Sequence, residues 1–200
     1  VIASMEALMQ PTIPPEQLQK ETIRLRQGDA VNQTELIQHL TAMGYVRGES
    51  VEGAGQFAVR GDIIDLFPVQ LSAPVRMELW GDEIDTMGSF DPETQRRTEA
   101  LEAVLIPPAK ETLFDPEQLA QMIEAHSRTL RGKHADAARE KLLRDAEQLQ
   151  NGVGLSHADK YYPLLHPQPA LLSDYGMDTV VFSEYAAVAE QARSVMAQYQ

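Results

Sequence analysis

The chain has 200 residues, 43% of them hydrophobic, with 30 acidic against 17 basic side chains and a formal net charge of -13. That content buries a core in one large domain or two small ones, and the acidic balance opposes sequence-independent affinity for a phosphate backbone. The lack of cysteine excludes disulfides, thiolate metal sites and cysteine nucleophiles and fits a cytoplasmic setting. No stretch approaches the ~20 apolar residues of a membrane helix.

Val1 to Ser4 reads as the end of a buried strand without the basic lead of a signal peptide, so an excised internal fragment is expected. A helical turn at Met5 to Gln10 is closed by Pro11, and Pro14-Pro15 suits a crossing between domains. Thr22 to Arg26 alternates as a strand. Asn32, with Glu35 three residues on, resembles a capping box for a helix carrying Leu36, Ile37, Leu40 and Met43, with Gly44 just past its end.

Tyr45 begins a β-rich segment that runs to about Phe90. In Gly55 to Pro68, Phe57 and Val59 alternate with Ala58 and Arg60, Gly61 permits a bend or bulge, and Ile63 to Phe67 resumes extended structure. In Pro74 to Asp85, Val75, Met77 and Leu79 alternate with Arg76, Glu78 and Trp80 before Gly81-Asp82, a hairpin turn of the Gly-first type. That turn predicts Trp80 opposite Glu83, Leu79 opposite Ile84, and Glu78 opposite Asp85. The last pair opposes like charges unless Arg76 offsets them. The polar face is then either a self-neutralising network or a surface shaped for a partner.

Asp91 to Arg96 is turn material, and Leu101 to Ile106 is a strand stopped by Pro107-Pro108. Helices follow from Pro116 toward Arg131 and from Ala135 to Gln150, the second closed by Asn151-Gly152. Tyr161 to Pro169 is a proline-rich loop, Thr179 to Phe182 has the look of a buried strand, and a helix capped by Ser183 runs from about Glu184 to Gln198. Arg128, Arg131, Lys133, Arg139, Lys141 and Arg144 form one local basic stretch. With Asp136 and Glu140 at helical spacing, it reads as a solvated helix face.

Chemistry is hard to find. There is no Gly-rich phosphate loop ending in Lys-Ser or Lys-Thr, no Gly-x-Ser-x-Gly elbow, and the five histidines are scattered. No cofactor or metal site is expected in these residues.

Gly-Tyr-Val-Arg ending at Arg47, the 55–68 and 74–85 stretches and Phe-Asp-Pro-Glu-Thr-Gln-Arg from Phe90 to Arg96 resemble the module shared by excision-repair UvrB proteins and bacterial transcription-repair coupling factors. The resemblance implies an α+β fold: a β-rich docking module at 13–90 inserted into an incomplete, degenerate helicase-like α/β domain. Residues 1–12 would end one part of that domain and 91–200 would return to it. It implies UvrA, the damage-recognition ATPase, as partner, with Arg47, Arg60, Arg76 and Glu78 as the docking residues. RNA polymerase and DNA would be engaged by other domains of the full-length protein, where ATP and magnesium also belong.

Ser183-Glu184 stands where the UvrB pattern has an Asp-Glu pair of the nucleotide site. Serine does not replace an acceptor-only carboxylate, which favours a non-hydrolysing, coupling-factor copy. The alternative is a fragment of a UvrB-type ATP-dependent helicase.

Overall fold

The computed structural model describes residues 2–198. In chain order the elements are α1 (Met5–Met9), α2 (Pro15–Glu21), β1 (Ile23–Arg26), α3 (Gln33–Ala42), β2 (Val46–Arg47), β3 (Gln56–Arg60), β4 (Ile63–Leu66), β5 (Val75–Trp80), β6 (Glu83–Phe90), β7 (Arg97–Ala100), β8 (Ala103–Ile106), α4 (Pro116–Thr129), α5 (Ala135–Gln150), α6 (Tyr162–Leu165) and α7 (Tyr185–Gln198). They form two compact units, 18–113 and a second built from 1–17 with 114–200.

The first unit is a six-stranded sheet in the order β2-β3-β4-β5-β6-β7, with a separate β1-β8 pair. All neighbours are antiparallel except β2 and β3. Two Gly-Asp turns drive the meander. Gly61 and Gly81 have φ of 60° and 63°, the left-handed region in which a Cβ is strained, so each starts a two-residue hairpin loop. The bend expected at Gly61 is thus a second hairpin of the kind expected at Gly81.

One face of the sheet is apolar because side chains alternate along each strand. Phe57, Ile64, Leu66, Val75, Met77, Ile84 and Met87 pack there with Leu36 and Leu40 of α3 and Met43 just past its end. Asn32 starts α3, its Oδ1 accepting from the amides of Thr34 and Glu35 at 3.0 and 3.2 Å. The reciprocal arm of the expected box differs: Glu35 accepts from the Asn32 side-chain amide rather than from its backbone. Gly44, at φ 89°, ends the helix turn.

Two features of this unit differ from the sequence expectations. The pairing of Glu78 with Asp85 is replaced by Glu78 with Thr86, because a bulge between Glu78 and Leu79 leaves Asp85 out of register. The like-charge opposition is therefore absent, while the Trp80–Glu83 and Leu79–Ile84 pairs are as expected. β7 lies in a stretch that the sequence left unassigned. The compact unit extends to 113, since β8 pairs with β1 through Leu25 and Val104, carrying 103–106 back to the start of the unit.

In the second unit, α4 and α5 pack through Leu119, Ala120, Ile123, Ala146 and Leu149. Asp115 caps α4 by accepting from the Gln118 amide at 2.8 Å, with Pro116 in the first turn. Asp145 accepts from Lys160 and from the Tyr161 hydroxyl. Burial pushes its carboxyl up, but those two hydrogen bonds and the charges of Lys160 and Arg144 outweigh it and hold the group below its ordinary value. Thr179 to Phe182 is not a strand; Val181 and Phe182 are exposed. Residues 2–4 are not a strand either, and Val1 lies outside the described residues.

Candidate protein-docking site

The polar face of the sheet holds three of the four residues named from the sequence. Register places Arg60, Ile63, Glu78 and Thr86 in one cross-strand row and Ala58, Asp65, Arg76 and Gly88 in the next. Residues of one row share a face, so the carboxylate of Asp65 emerges between Arg60 and Arg76.

Asp65 is 2% exposed and both of its oxygens are bonded. Arg76 donates side-on, Nε to Oδ1 at 2.7 Å and Nη2 to Oδ2 at 2.9 Å. Arg60 donates Nη2 to Oδ2 at 2.6 Å. A buried carboxylate is tolerated only when it is paired and hydrogen-bonded, and here two guanidinium groups do both. The demand placed on Arg76 thus comes from Asp65, a residue the sequence reading did not single out.

Arg76 is closely held. Its guanidinium stacks 4.4 Å from the Phe90 ring centroid, and its Nη2 also donates to Gln95 Oε1 at 2.7 Å. A longer contact of 3.5 Å runs from Nη1 to the Gln95 carbonyl. Gln95 sits at φ 60°, a conformation imposed by the 91–96 turn, in which Asp91 Oδ1 accepts from the Glu93 and Thr94 amides. The hydrogen bond to Asp65 raises the Arg76 pKa above its ordinary value; burial opposes the shift, and the charges of Asp65 and Glu78 add to it. Four of the five guanidinium N–H groups are therefore committed within the sheet unit.

Arg60 is the contrast. Its side chain is 49% exposed and makes a single hydrogen bond among the described residues, to Asp65, which leaves four of its five N–H groups without an acceptor there. Glu78 is half-buried in the same row as Arg60. Arg97 crosses the face from β7: it covers Gly88 and donates to Thr86 Oγ1 at 2.9 Å, beside Glu78. Arg97 is a further cation of this face that the sequence reading missed. Arg47 stands apart: it is exposed on edge strand β2, where it pairs with Phe57, a core-facing residue, rather than joining the row of Arg60 and Glu78. It makes no ion pair among the described residues.

Three of the six cations of the basic helical stretch are paired within it or with its neighbours. Arg139 pairs with Asp136 at 2.7 Å, Arg144 with Glu140 at 2.9 Å and Arg128 with Glu124 at 3.7 Å. Among the described residues no group of three or more His, Asp or Glu side chains is placed to hold a metal ion. Among the same residues no helix is long and apolar enough to cross a membrane.

The polar face of the six-stranded sheet is organised around a clamped carboxylate, and residues 23–112 match the UvrB interaction domain family. That match spans 90 of the 200 residues. It is 31% identical over 190 residues to the transcription-repair-coupling factor of Bacillus subtilis, covering 90% of this chain and 16% of the relative. It is 30% identical over 182 residues to the transcription-repair-coupling factor of Haemophilus influenzae, covering 89% and 15%. It is also 31% identical over 172 residues to UvrABC system protein B of Thermosipho africanus, covering 78% and 26%. The chain thus spans between about a seventh and a quarter of the length of these relatives. The relatives are thus of two kinds, transcription-repair-coupling factors and UvrABC system B proteins.

Proposed function

We propose that this chain is a non-catalytic docking module that recruits UvrA in transcription-coupled nucleotide excision repair. The observation that carries the reading is Arg60: a half-exposed guanidinium with four unused N–H groups, held by a buried carboxylate that Arg76 already clamps. Such a donor has little orientational freedom left to lose on binding, which favours charge-assisted hydrogen bonds to carboxylates of a partner. Glu78 supplies an acceptor in the same row, and Arg97 and Arg47 extend the cationic surface across the sheet and to its edge. Arg76 acts through Asp65 rather than as the main contact.

The module reading is common to coupling factors and UvrB proteins, since both kinds of relative match most of this chain. Ser183 at the position of the UvrB acidic pair supports the coupling-factor side. In that setting the region outside 18–113 belongs to a degenerate helicase-like domain, and other domains engage RNA polymerase, DNA, ATP and magnesium in the cytoplasm.

Titration of purified UvrA into the chain at low and moderate salt tests the reading. Binding should weaken as salt rises, and Arg60→Ala should weaken it about tenfold or more. Absence of binding by the unaltered chain, or equal affinity of Arg60→Ala, contradicts it.

A further inference from the structure

We infer that Trp80, with Glu83 and Asp82 beside it, is a second anchor of the same docking surface and takes a basic side chain of the partner on its indole face. The inference rests on the docking reading above. Trp80 is the single tryptophan of the chain and is 83% exposed at the end of β5. Alternation puts it on the polar face, since Val75, Met77 and Leu79 are buried while Arg76, Glu78 and Trp80 are not. No aromatic or cation stacking contact engages it among the described residues.

The indole is carried on a braced tip. Gly81-Asp82 closes the hairpin, the Val31 amide donates to the Asp82 carbonyl at 2.6 Å, and the Ile84 amide donates to the Asp29 carbonyl at 3.0 Å. On a braced backbone an indole has only two side-chain torsions to fix, so it loses little entropy when a partner covers it, the usual property of a binding hot spot.

Position ties the tip to the arginine row. Trp80 lies two residues along β5 from Glu78, which shares its row with Arg60 two strands away, so strand spacing puts it about 12 Å from Arg60. A standard interface of about 800 Å² per partner extends about 16 Å from its centre and reaches both. Charge decides what meets the indole. Asp82 and Glu83 flank it and Asp62 lies at the tip of the neighbouring hairpin, all exposed, whereas the cations sit at Arg60 and Arg97. The face is bipolar, and complementarity requires carboxylates on the partner opposite Arg60 and an arginine or lysine at the tip. A guanidinium over an indole flanked by carboxylates gains from both the ring and the charges.

The test uses the whole chain with Trp80 as 5-fluorotryptophan and unlabelled UvrA as probe, together with Trp80→Ala, Trp80→Leu and Trp80→Phe. A shifted fluorine resonance at saturation, with Ala and Leu about tenfold weaker and Phe within about threefold, supports the inference. Leu binding as tightly as Trp overturns basic-side-chain stacking. An unmoved resonance and full affinity in all three variants, while Arg60→Ala still loses binding, overturns the inference and leaves the docking reading standing. No binding by the unaltered chain removes both.

Discussion

Arg76→Ala should destabilise the sheet far more than Arg60→Ala, although both arginines bond the same carboxylate. Removing Arg76 deletes the two-point hydrogen bond to Asp65, the bond to Gln95 and the stacking on Phe90. Asp65, 2% exposed, is left with one bond from a half-exposed arginine. The charged hydrogen bonds and the under-satisfied carboxylate account for about 2 kcal/mol, and loss of the cation–π contact adds about 1. Removing Arg60 costs about 1 kcal/mol, because the buried Asp65 keeps both bonds from Arg76 and Arg60 itself is half-exposed. For a unit the size of 18–113, 3 kcal/mol corresponds to a fall in Tm of about 12–24 °C, and 1 kcal/mol to about 4–8 °C. Calorimetry on the two variants, with hydrogen exchange of the β4 and β5 amides to localise the effect, reads the difference. Equal losses, or an Arg76→Ala loss below 1 kcal/mol, would refute the clamp.

Other expectations follow from single positions. Gly81→Ala has open space but φ 63°, so it should cost about 1 kcal/mol; Gly88→Ala would put a Cβ 2.6 Å from the Glu99 carbonyl and should cost about 2–3, both read by urea denaturation. Asn32→Ala removes the α3 cap and should lose about 1 kcal/mol in the same assay, with reduced protection of the Thr34 and Glu35 amides. Burial lowers the His166 pKa below its ordinary 6.5, so the folded state resists protonation. The contribution is present above 6.5 and is lost as pH falls toward the lower folded value. Melting of the 114–200 region should decline across that window, and His166→Gln should flatten the decline. Asp145, also lowered, contributes above its ordinary 3.8 and loses that contribution as pH falls below it.

Local chemistry was legible in the sequence, and long-range pairing was not. The Gly-Asp turn at 81–82, the Asn32 cap, the Pro116 start of α4 and the Asn151-Gly152 end of α5 each depend on a few adjacent residues and stand where expected. The alternation that exposes Arg60, Arg76 and Glu78 was equally plain. The partner of Arg76 was not, because Asp65 meets it only through the β4–β5 pairing, and the run Ile63-Ile64-Asp65-Leu66 conceals a carboxylate among apolar neighbours. A lone acid in such a run was the available signal. A bulge at Asp85 was invisible to a register counted from the turn, and Arg97 joined the face through a strand that composition did not suggest. Thr179 to Phe182 has strand composition but no strand among the described residues to pair with, so β-branched content alone did not make it one.

The most direct measurement is the dissociation constant for UvrA of the unaltered chain against Arg60→Glu, with Lys141→Glu on the exposed face of α5 as a control of equal charge change. A docking surface centred on Arg60 predicts a loss of about a hundredfold for Arg60→Glu and less than about threefold for Lys141→Glu. Equal effects of the two substitutions would show that net charge rather than this sheet face governs binding, and would contradict the account.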